Sequence, residues 1–254
     1  MSRREVPARE PVRLRRTGRE RHLELWTEAA GDPPPVYGER WREFDGHAFR
    51  SFEPGRSKLA AALVRDWQGG VPASGERWLY LGAASGTTAS HVADLVGPTG
   101  RVYALEKSPR PFARLLRLSD RWPNLLPILS DARSPESYFD LVPAVDGVYV
   151  DIAQADQVDI ARRNAEVYLS HPGAPLVLAL KTASMGRSRP PAAFLEQAES
   201  ELERGFELDT SVRLDPFHRA HYLIGGRARP ALFREETGAV LRPPPGRSPG
   251  RRRR

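Results

Sequence analysis

The sequence contains no cysteine, which removes disulfides, thiolate nucleophiles and cysteine-based zinc sites at once. No run approaches the ~18 consecutive apolar residues that a membrane helix needs. The opening segment, MSRREVPAREPVRLRR, is charged where a secretory signal would be apolar. A cytoplasmic protein is expected. The six histidines show no ligand spacing such as two placed four apart on a helix, so no metal site is expected. Lysine is scarce: of 39 basic residues only Lys58, Lys107 and Lys181 are lysines. Arginine stays charged at every working pH, so three positions that keep a deprotonatable amine stand apart from the rest.

What is present is globular. The 254 residues are 40% hydrophobic and 28% charged, enough for one sizeable α/β core or two small domains. The net charge of +7 and pI near 10.1 point to a polyanionic partner, with nucleic acid the commonest. The competing explanation is local: much of the excess lies in the first 22 residues and in Arg251 to Arg254, which read as solvated tails.

Patterning divides the chain into four parts: a flexible basic N-terminus (1–22), a small β subdomain (23–55), a main α/β domain (56–228) and a flexible Pro/Arg-rich tail (229–254). RHLELW, VYGERWREF and HAFRSF, the last two meeting at Asp45-Gly46, alternate as a small antiparallel sheet. KLAAALVRDW reads as an amphipathic helix with Leu59, Leu63 and Trp67 on one face. From Arg77 onward apolar strands alternate with helices, the pattern of a parallel sheet covered by helices. FELDTSVRL and AHYLIGGR close the domain as two further strands.

The first of these strands runs through Gly82-Ala83-Ala84-Ser85-Gly86 into a helix beginning Thr87-Thr88. The glycines let the backbone approach a ligand, and the helix start offers free N–H groups. Glu106 ends the next strand about twenty residues on, where a Rossmann-type domain holds adenosine ribose hydroxyls. The glycine spacing is not the dinucleotide fingerprint. Asp131 follows the third strand, where it suits an adenine amino group, with the Ala132 N–H meeting a ring nitrogen; a helix cap is its plainer role. Asp151 and Lys181 end two later strands at the same predicted mouth, with Gln154 just beyond. A carboxylate beside an amine there is equipped to orient a hydroxyl or move its proton. His221 opens the last strand; a lone histidine is usually a packing or surface residue, and His91 and His218 carry no functional argument.

These stretches together resemble the fibrillarin family. The resemblance is carried by GAASGTTASHVADLVGPTGRVYALEKSPR, NLLPILSDAR, DGVYVDIAQADQ, NAEVYLS and LALKTASM, and upstream by VYGERW and PGRSKLAAAL, over roughly residues 34 to 228. It implies a Rossmann-like class I S-adenosylmethionine-dependent methyltransferase with a small N-terminal β subdomain, methylating ribose 2′-hydroxyls of rRNA and tRNA. It assigns the S-adenosylmethionine wall to Thr87, Thr88, Glu106, Lys107, Asp131, Ala132 and the run Asp151, Ile152, Ala153, Gln154. Lys107 stands where many fibrillarins have Phe, which leaves it a backbone contact. Related 2′-O-methyltransferases use a Lys-Asp-Lys-(Glu or His) group, matched here by Lys58, Asp151, Lys181 and His221, so two of the three lysines fall on that set. The implied step is an in-line displacement at the sulfonium methyl. Lys181, tuned by Asp151, orients or deprotonates the hydroxyl, while Lys58 and His221 position the ribose or a nearby phosphate.

The implied partners are the RNA, a box C/D guide RNA, a Nop-domain scaffold and a kink-turn-binding protein, with a ribonucleoprotein- or nucleoid-associated location. The chain departs from the family at Ala220, where Asp is common, at His218-Arg219, and in VYGER for VYGEK. Before Pro33, in the region that contacts the Nop-domain scaffold, the likeness is loose. A non-enzymatic RNA-binding scaffold, a protein (glutamine) methyltransferase and an NAD-dependent oxidoreductase remain as alternatives, the last disfavoured by the glycine spacing.

Overall fold

A computed structural model describes residues 13–18, 23–29, 35–186 and 188–233. Two sheets are present. In the first, β1 (Leu14–Thr17), β2 (Glu24–Glu28), β3 (Trp41–Phe44) and β4 (His47–Ser51) are antiparallel in the order β1-β2-β4-β3. Asp45 and Gly46, both at positive φ (51° and 79°), make the tight β3–β4 turn. The second sheet has seven strands in the order β10-β11-β9-β8-β5-β6-β7. These are β5 (Arg77–Leu81), β6 (Arg101–Glu106), β7 (Leu125–Leu129), β8 (Gly147–Val150), β9 (Pro175–Lys181), β10 (Phe206–Arg213) and β11 (His221–Ala228). Strands β5 to β9 are mutually parallel, and β11 runs antiparallel between β9 and β10.

The helices are α1 (Lys58–Leu63), α2 (Thr87–Val96), α3 (Pro109–Ser119), α4 (Gln157–Tyr168), α5 (Thr182–Met185) and α6 (Pro191–Leu202). Gly97 at φ 65° ends α2 and proline opens α3 and α6. Strands such as β8, GVYV, are buried throughout because helices cover both faces of a parallel sheet. The chain leaves β5 outward through β6 and β7, then returns to lay β8 on β5's other side. That reversal opens a crevice at the carboxyl ends of β5 and β8.

Three expectations change. Part of the stretch expected to be flexible, 1–22, is strand: β1 pairs with β2 in register from Leu14↔Thr27 to Thr17↔Glu24, so the β subdomain begins at Leu14 rather than 23. Its charges are anchored, with Arg13 Nε donating to the Asp94 carbonyl at 2.6 Å and Arg15 lying over the Phe44 and Phe49 rings. Likewise, the expected tail starts later than 229, because Arg229 N–H donates to Gly205 O at 2.8 Å and Leu232 is buried in a 3-10 turn, Pro230–Phe233. The remainder of both terminal stretches lies outside the described residues. Finally, α1 is not amphipathic. Leu59 to Leu63 are all buried, and the helix stops before Trp67 because Asp66 turns the chain at φ 58°.

The small sheet and the main domain share one core. Leu14, Leu25 and Phe52 pack in the same cluster as Leu59, Val92 and Trp122. Polar groups complete the join. Arg50 of β4, fully buried, pairs with Glu39 at 2.6 Å and with Asp94 of α2 at 2.8 Å, and lies over the Trp122 ring. A buried guanidinium is costly unless its donors are satisfied; here two carboxylates and the Ser90 hydroxyl satisfy them. His91 is stacked on Phe52 and bridges Thr27 (2.7 Å) to Tyr37 (2.8 Å). The Thr27 hydroxyl in turn donates to Asp94 at 2.9 Å and the Tyr37 hydroxyl to Ser51 O at 2.9 Å. Burial first, and then the Arg50 charge, hold the His91 pKa well below the ordinary histidine value.

Candidate active site

At the switch between β5 and β8, backbone is packed on backbone. Gly82 sits at φ 80°, and a Cβ there would lie 2.3 Å from the Asp151 carbonyl oxygen. Only glycine lets the turn after β5 pass this close to the chain leaving β8. Gly86, at φ 90°, meets Leu118 and Leu115 in the same way and starts α2 against α3.

A cavity of about 550 Å³ opens above this crossing, a volume that suits an adenosine-sized ligand. Of the residues expected to hold the cofactor, Glu106, Lys107, Asp131, Ala132, Asp151, Ile152, Ala153 and Gln154 line it. Thr87 and Thr88 do not. They start α2, where Thr88 is buried and hydrogen-bonded to Tyr80 in the layer beneath. Glu106 accepts Ser108 N–H at 2.7 Å on one oxygen and Ala84 N–H at 3.0 Å on the other, which fixes the carboxylate and leaves each oxygen a lone pair. Asp131 is gripped by Arg133: its backbone N–H donates to Oδ1 at 3.1 Å, and the guanidinium forks both oxygens at 2.6 to 3.2 Å. Those bonds and the adjacent charge hold the Asp131 pKa at about 2. Lys107 Nζ stands 4.0 Å from the same carboxylate.

The polar cluster lies beside the cavity. Lys58 opens α1 after the N-cap Ser57 and reaches across to Asp151, with Nζ 2.8 Å from Oδ1 and 2.9 Å from Oδ2. The expectation that Asp151 tunes Lys181 therefore changes, since the carboxylate is engaged by Lys58. Among the described residues Lys181 makes no ion pair. Its strand end is held by Gln157, which donates to Lys181 O (3.1 Å) and accepts Lys181 N–H (2.9 Å). Lys181 and His221 are direct cross-strand partners, so their side chains share a face. His221 Nδ1 lies 2.8 Å from the Arg219 carbonyl. Burial first, then the Lys58 charge, lower the pKa of His221 against the opposing pull of that carbonyl and Asp151. A neutral ring is favoured.

His218, for which the sequence offered no argument, belongs to the same cluster. Its Nε2 lies 2.9 Å from Pro54 O, its ring meets His221 edge-on at 6.0 Å, and burial and Lys58 lower its pKa too. The one signal was its place three residues before His221. Among the described residues no group of three or more His, Asp or Glu side chains is placed to hold a metal ion, and no helix is long and apolar enough to cross a membrane.

The family model described as Fibrillarin matches residues 10–230. The fibrillarin-like rRNA/tRNA 2′-O-methyltransferase of Aeropyrum pernix is 42% identical over 190 residues, covering 74% of this chain and 81% of the relative. The crystal structure of Aeropyrum pernix fibrillarin with natively bound S-adenosyl-L-methionine superposes with a TM-score of 0.73 at 40% identity, over 81% of this chain and 89% of that one. A fibrillarin in complex with Nop5p superposes with a TM-score of 0.73 at 37% identity, over 81% and 94%. The seven-stranded sheet, the glycine turn packed on Asp151 and these likenesses agree: the chain belongs to the fibrillarin family.

Proposed function

We propose that this protein transfers a methyl group from S-adenosylmethionine to ribose 2′-hydroxyls of RNA. The observation that carries this reading is the gathering of Lys58, Asp151, Lys181 and His221 beside a cavity whose wall holds Glu106 and Asp131. The cavity fits the cofactor on its own evidence: a carboxylate with free lone pairs for ribose hydroxyls, a second carboxylate held ionised for an adenine amino group, and a glycine that no side chain could replace. S-adenosylmethionine supplies an activated methyl on a good leaving group. The protein's own work is alignment of the ribose oxygen and handling of its proton.

In that work Lys58 fixes the Asp151 carboxylate so that it presents one orientation to the mouth. Lys181, which pairs with no acid among the described residues, meets the 2′-hydroxyl and takes or orients its proton. His221, favoured neutral, contributes a hydrogen bond to the ribose or its phosphate. The substrates are rRNA and tRNA, as the name of the Aeropyrum relative has it. The relative bound to Nop5p supports a Nop-domain protein as partner; in the proposed assembly a box C/D guide RNA and a kink-turn-binding protein complete target choice, in a cytoplasmic ribonucleoprotein.

The test maps 2′-O-methyl marks, by protection from alkaline cleavage, in host cells with and without the gene. Marks that vanish with the gene and return with wild type but not with Asp151→Ala establish the activity. Persistence of every mark would overturn it.

A further inference from the structure

The loop between β10 and β11, Leu214-Asp215-Pro216-Phe217-His218-Arg219-Ala220, stands at the rim of the polar cluster and takes no part in the assignments above. It is held in place rather than left loose. Leu214 N–H donates to His221 O at 3.0 Å, His218 N–H donates to Leu214 O at 3.0 Å, and Thr182 donates from both N–H and hydroxyl to Ala220 O. His218 then fastens the loop to a second segment through its 2.9 Å bond to Pro54 O. That segment is the turn that leads into α1 and so carries Lys58: Arg56 and Ser57 N–H both donate to Glu53 O.

The clasp brings three unassigned groups to one rim. Phe217 is 40% exposed, one of few large apolar side chains left in water. Arg219, next to His218, and Arg56, two residues beyond the Pro54 that His218 holds, are exposed, and neither forms an ion pair with an acid among the described residues; Arg56 lies over the Tyr37 ring at 5.4 Å. Arg213 and Arg133, also exposed, are by contrast held by acids, on Asp215 and Asp131. An open aromatic face together with two guanidinium groups that no described acid holds is the composition that grips single-stranded nucleic acid, with stacking on the ring and phosphates on the cations. An RNA strand, with a phosphate at every nucleotide beside the faces of its bases, matches both the cations and the ring.

Resting on the ribose-methylation reading, we propose that this clasped rim is the subsite for the substrate strand. Phe217 stacks on a nucleobase adjoining the target nucleotide, Arg56 and Arg219 take the flanking phosphates, and His218 is a positioning residue that keeps the two loops in register with Lys58. The subsite recognises RNA by its bases' faces and its backbone, without reading sequence.

Host cells lacking the gene are complemented with wild type, Phe217→Leu, Phe217→Tyr or the Arg56→Ala/Arg219→Ala pair. The initial rate at which gene-dependent 2′-O-methyl marks reappear after induction is then followed. Ultraviolet crosslinking of the full-length protein to RNA in the same cells, with the crosslinked peptides sequenced, gives a second readout. S-adenosylmethionine binding by each purified variant reports folding and should be unchanged. Loss of a stacking face costs on the order of tenfold or more, so Phe217→Leu and the arginine pair should slow the marks by at least about that factor. Phe217→Tyr, which keeps a π face, should restore the rate, and wild-type crosslinks should include the peptide bearing Phe217. Marks returning at the wild-type rate with Phe217→Leu and the arginine pair, with crosslinks only elsewhere, would overturn the subsite while leaving methylation intact. So would a Phe217→Tyr variant as slow as Phe217→Leu, which would make the ring a packing element. If wild type restores no mark, the methylation reading falls and the subsite with it.

Discussion

Lys58 and Asp151 are 93 residues apart in sequence and meet at 2.8 Å, one from the first turn of α1 and the other from the end of β8. Their side chains are each 19% exposed, so the pair is only partly screened by water. If the pair acts as a unit, Lys58→Ala and Asp151→Asn should each cut methyl transfer by about a hundredfold or more. The double variant should then fall little further, a coupling of about 1–3 kcal/mol. Single-turnover rates on one RNA measure this; strictly additive losses would show that the two residues act separately.

Gly82 should tolerate no side chain. Gly82→Ala places a methyl 2.3 Å from the Asp151 carbonyl, at a φ of 80° that alanine resists. Overpacking and backbone strain together should cost about 2–4 kcal/mol of stability, and the shifted Asp151 should take cofactor binding with it. Urea midpoints and calorimetric titration with S-adenosylmethionine decide the matter. An alanine variant that binds normally would mean the turn and β8 can separate cheaply.

The main sheet was legible because central parallel strands are bounded apolar runs, such as GVYV and LVLAL, and because Gly97 and the helix-opening prolines punctuate the pattern. β1 was not. LRRT has a single buried apolar residue; Arg13 just before it is spent on the Asp94 carbonyl, and its own Arg15 and Arg16 on aromatic faces and on Leu63 O, none of which adjoins it in sequence. The same limit applies in the site. Strand ends pointed to Asp151, Lys181 and Glu106, and the family likeness added Lys58. The pairing of Lys58 with Asp151 was not legible, because no spacing shows that a helix preceding the first strand of the sheet docks over the end of β8. The polar residues of α2, Ser90, His91 and Asp94, resemble a solvated face until the small sheet covers them.

That covering makes a pH prediction. The pKa of His91 is held below its ordinary value of about 6.5 by burial and by Arg50. Below that pH the unfolded chain binds a proton that the folded chain refuses. The stability contribution is therefore full above about pH 6.5 and is lost as pH falls toward the folded value, by up to ~1.4 kcal/mol per pH unit. His218 and His221 shift in the same direction and add to the slope. Urea midpoints measured from pH 8 to pH 5 should fall, and His91→Gln should flatten the decline even though it lowers overall stability. An unchanged slope in that variant would remove His91 from the account.

Arg133 should matter to the cofactor without touching it. Its fork holds the Asp131 carboxylate in one plane, with the pKa at about 2, so the group meets a ligand already oriented and ionised. Arg133→Ala leaves Asp131 charged at neutral pH but free to rotate. S-adenosylmethionine affinity should drop by roughly three- to tenfold through lost preorganisation, less than for Asp131→Ala. Tighter binding would mean instead that the guanidinium competes with the adenine for the carboxylate.

Lys181 is the sharpest test of the chemistry. It shares a sheet face with His221, its backbone is fixed by Gln157, and no acid among the described residues holds its amine. If it accepts the hydroxyl proton, charge alone is not enough, because arginine keeps the charge and cannot give up its proton. Lys181→Arg should therefore bind S-adenosylmethionine and RNA about as wild type does and lose transfer by about a hundredfold or more, the scale of one general base. A purely orienting lysine predicts a different split: Lys181→Arg keeps a sizeable share of the rate, while Lys181→Met loses it together with RNA affinity. Single-turnover rates alongside the two binding constants separate these outcomes. Full activity in Lys181→Arg would end the base assignment and leave proton removal to water at the mouth beside Asp151.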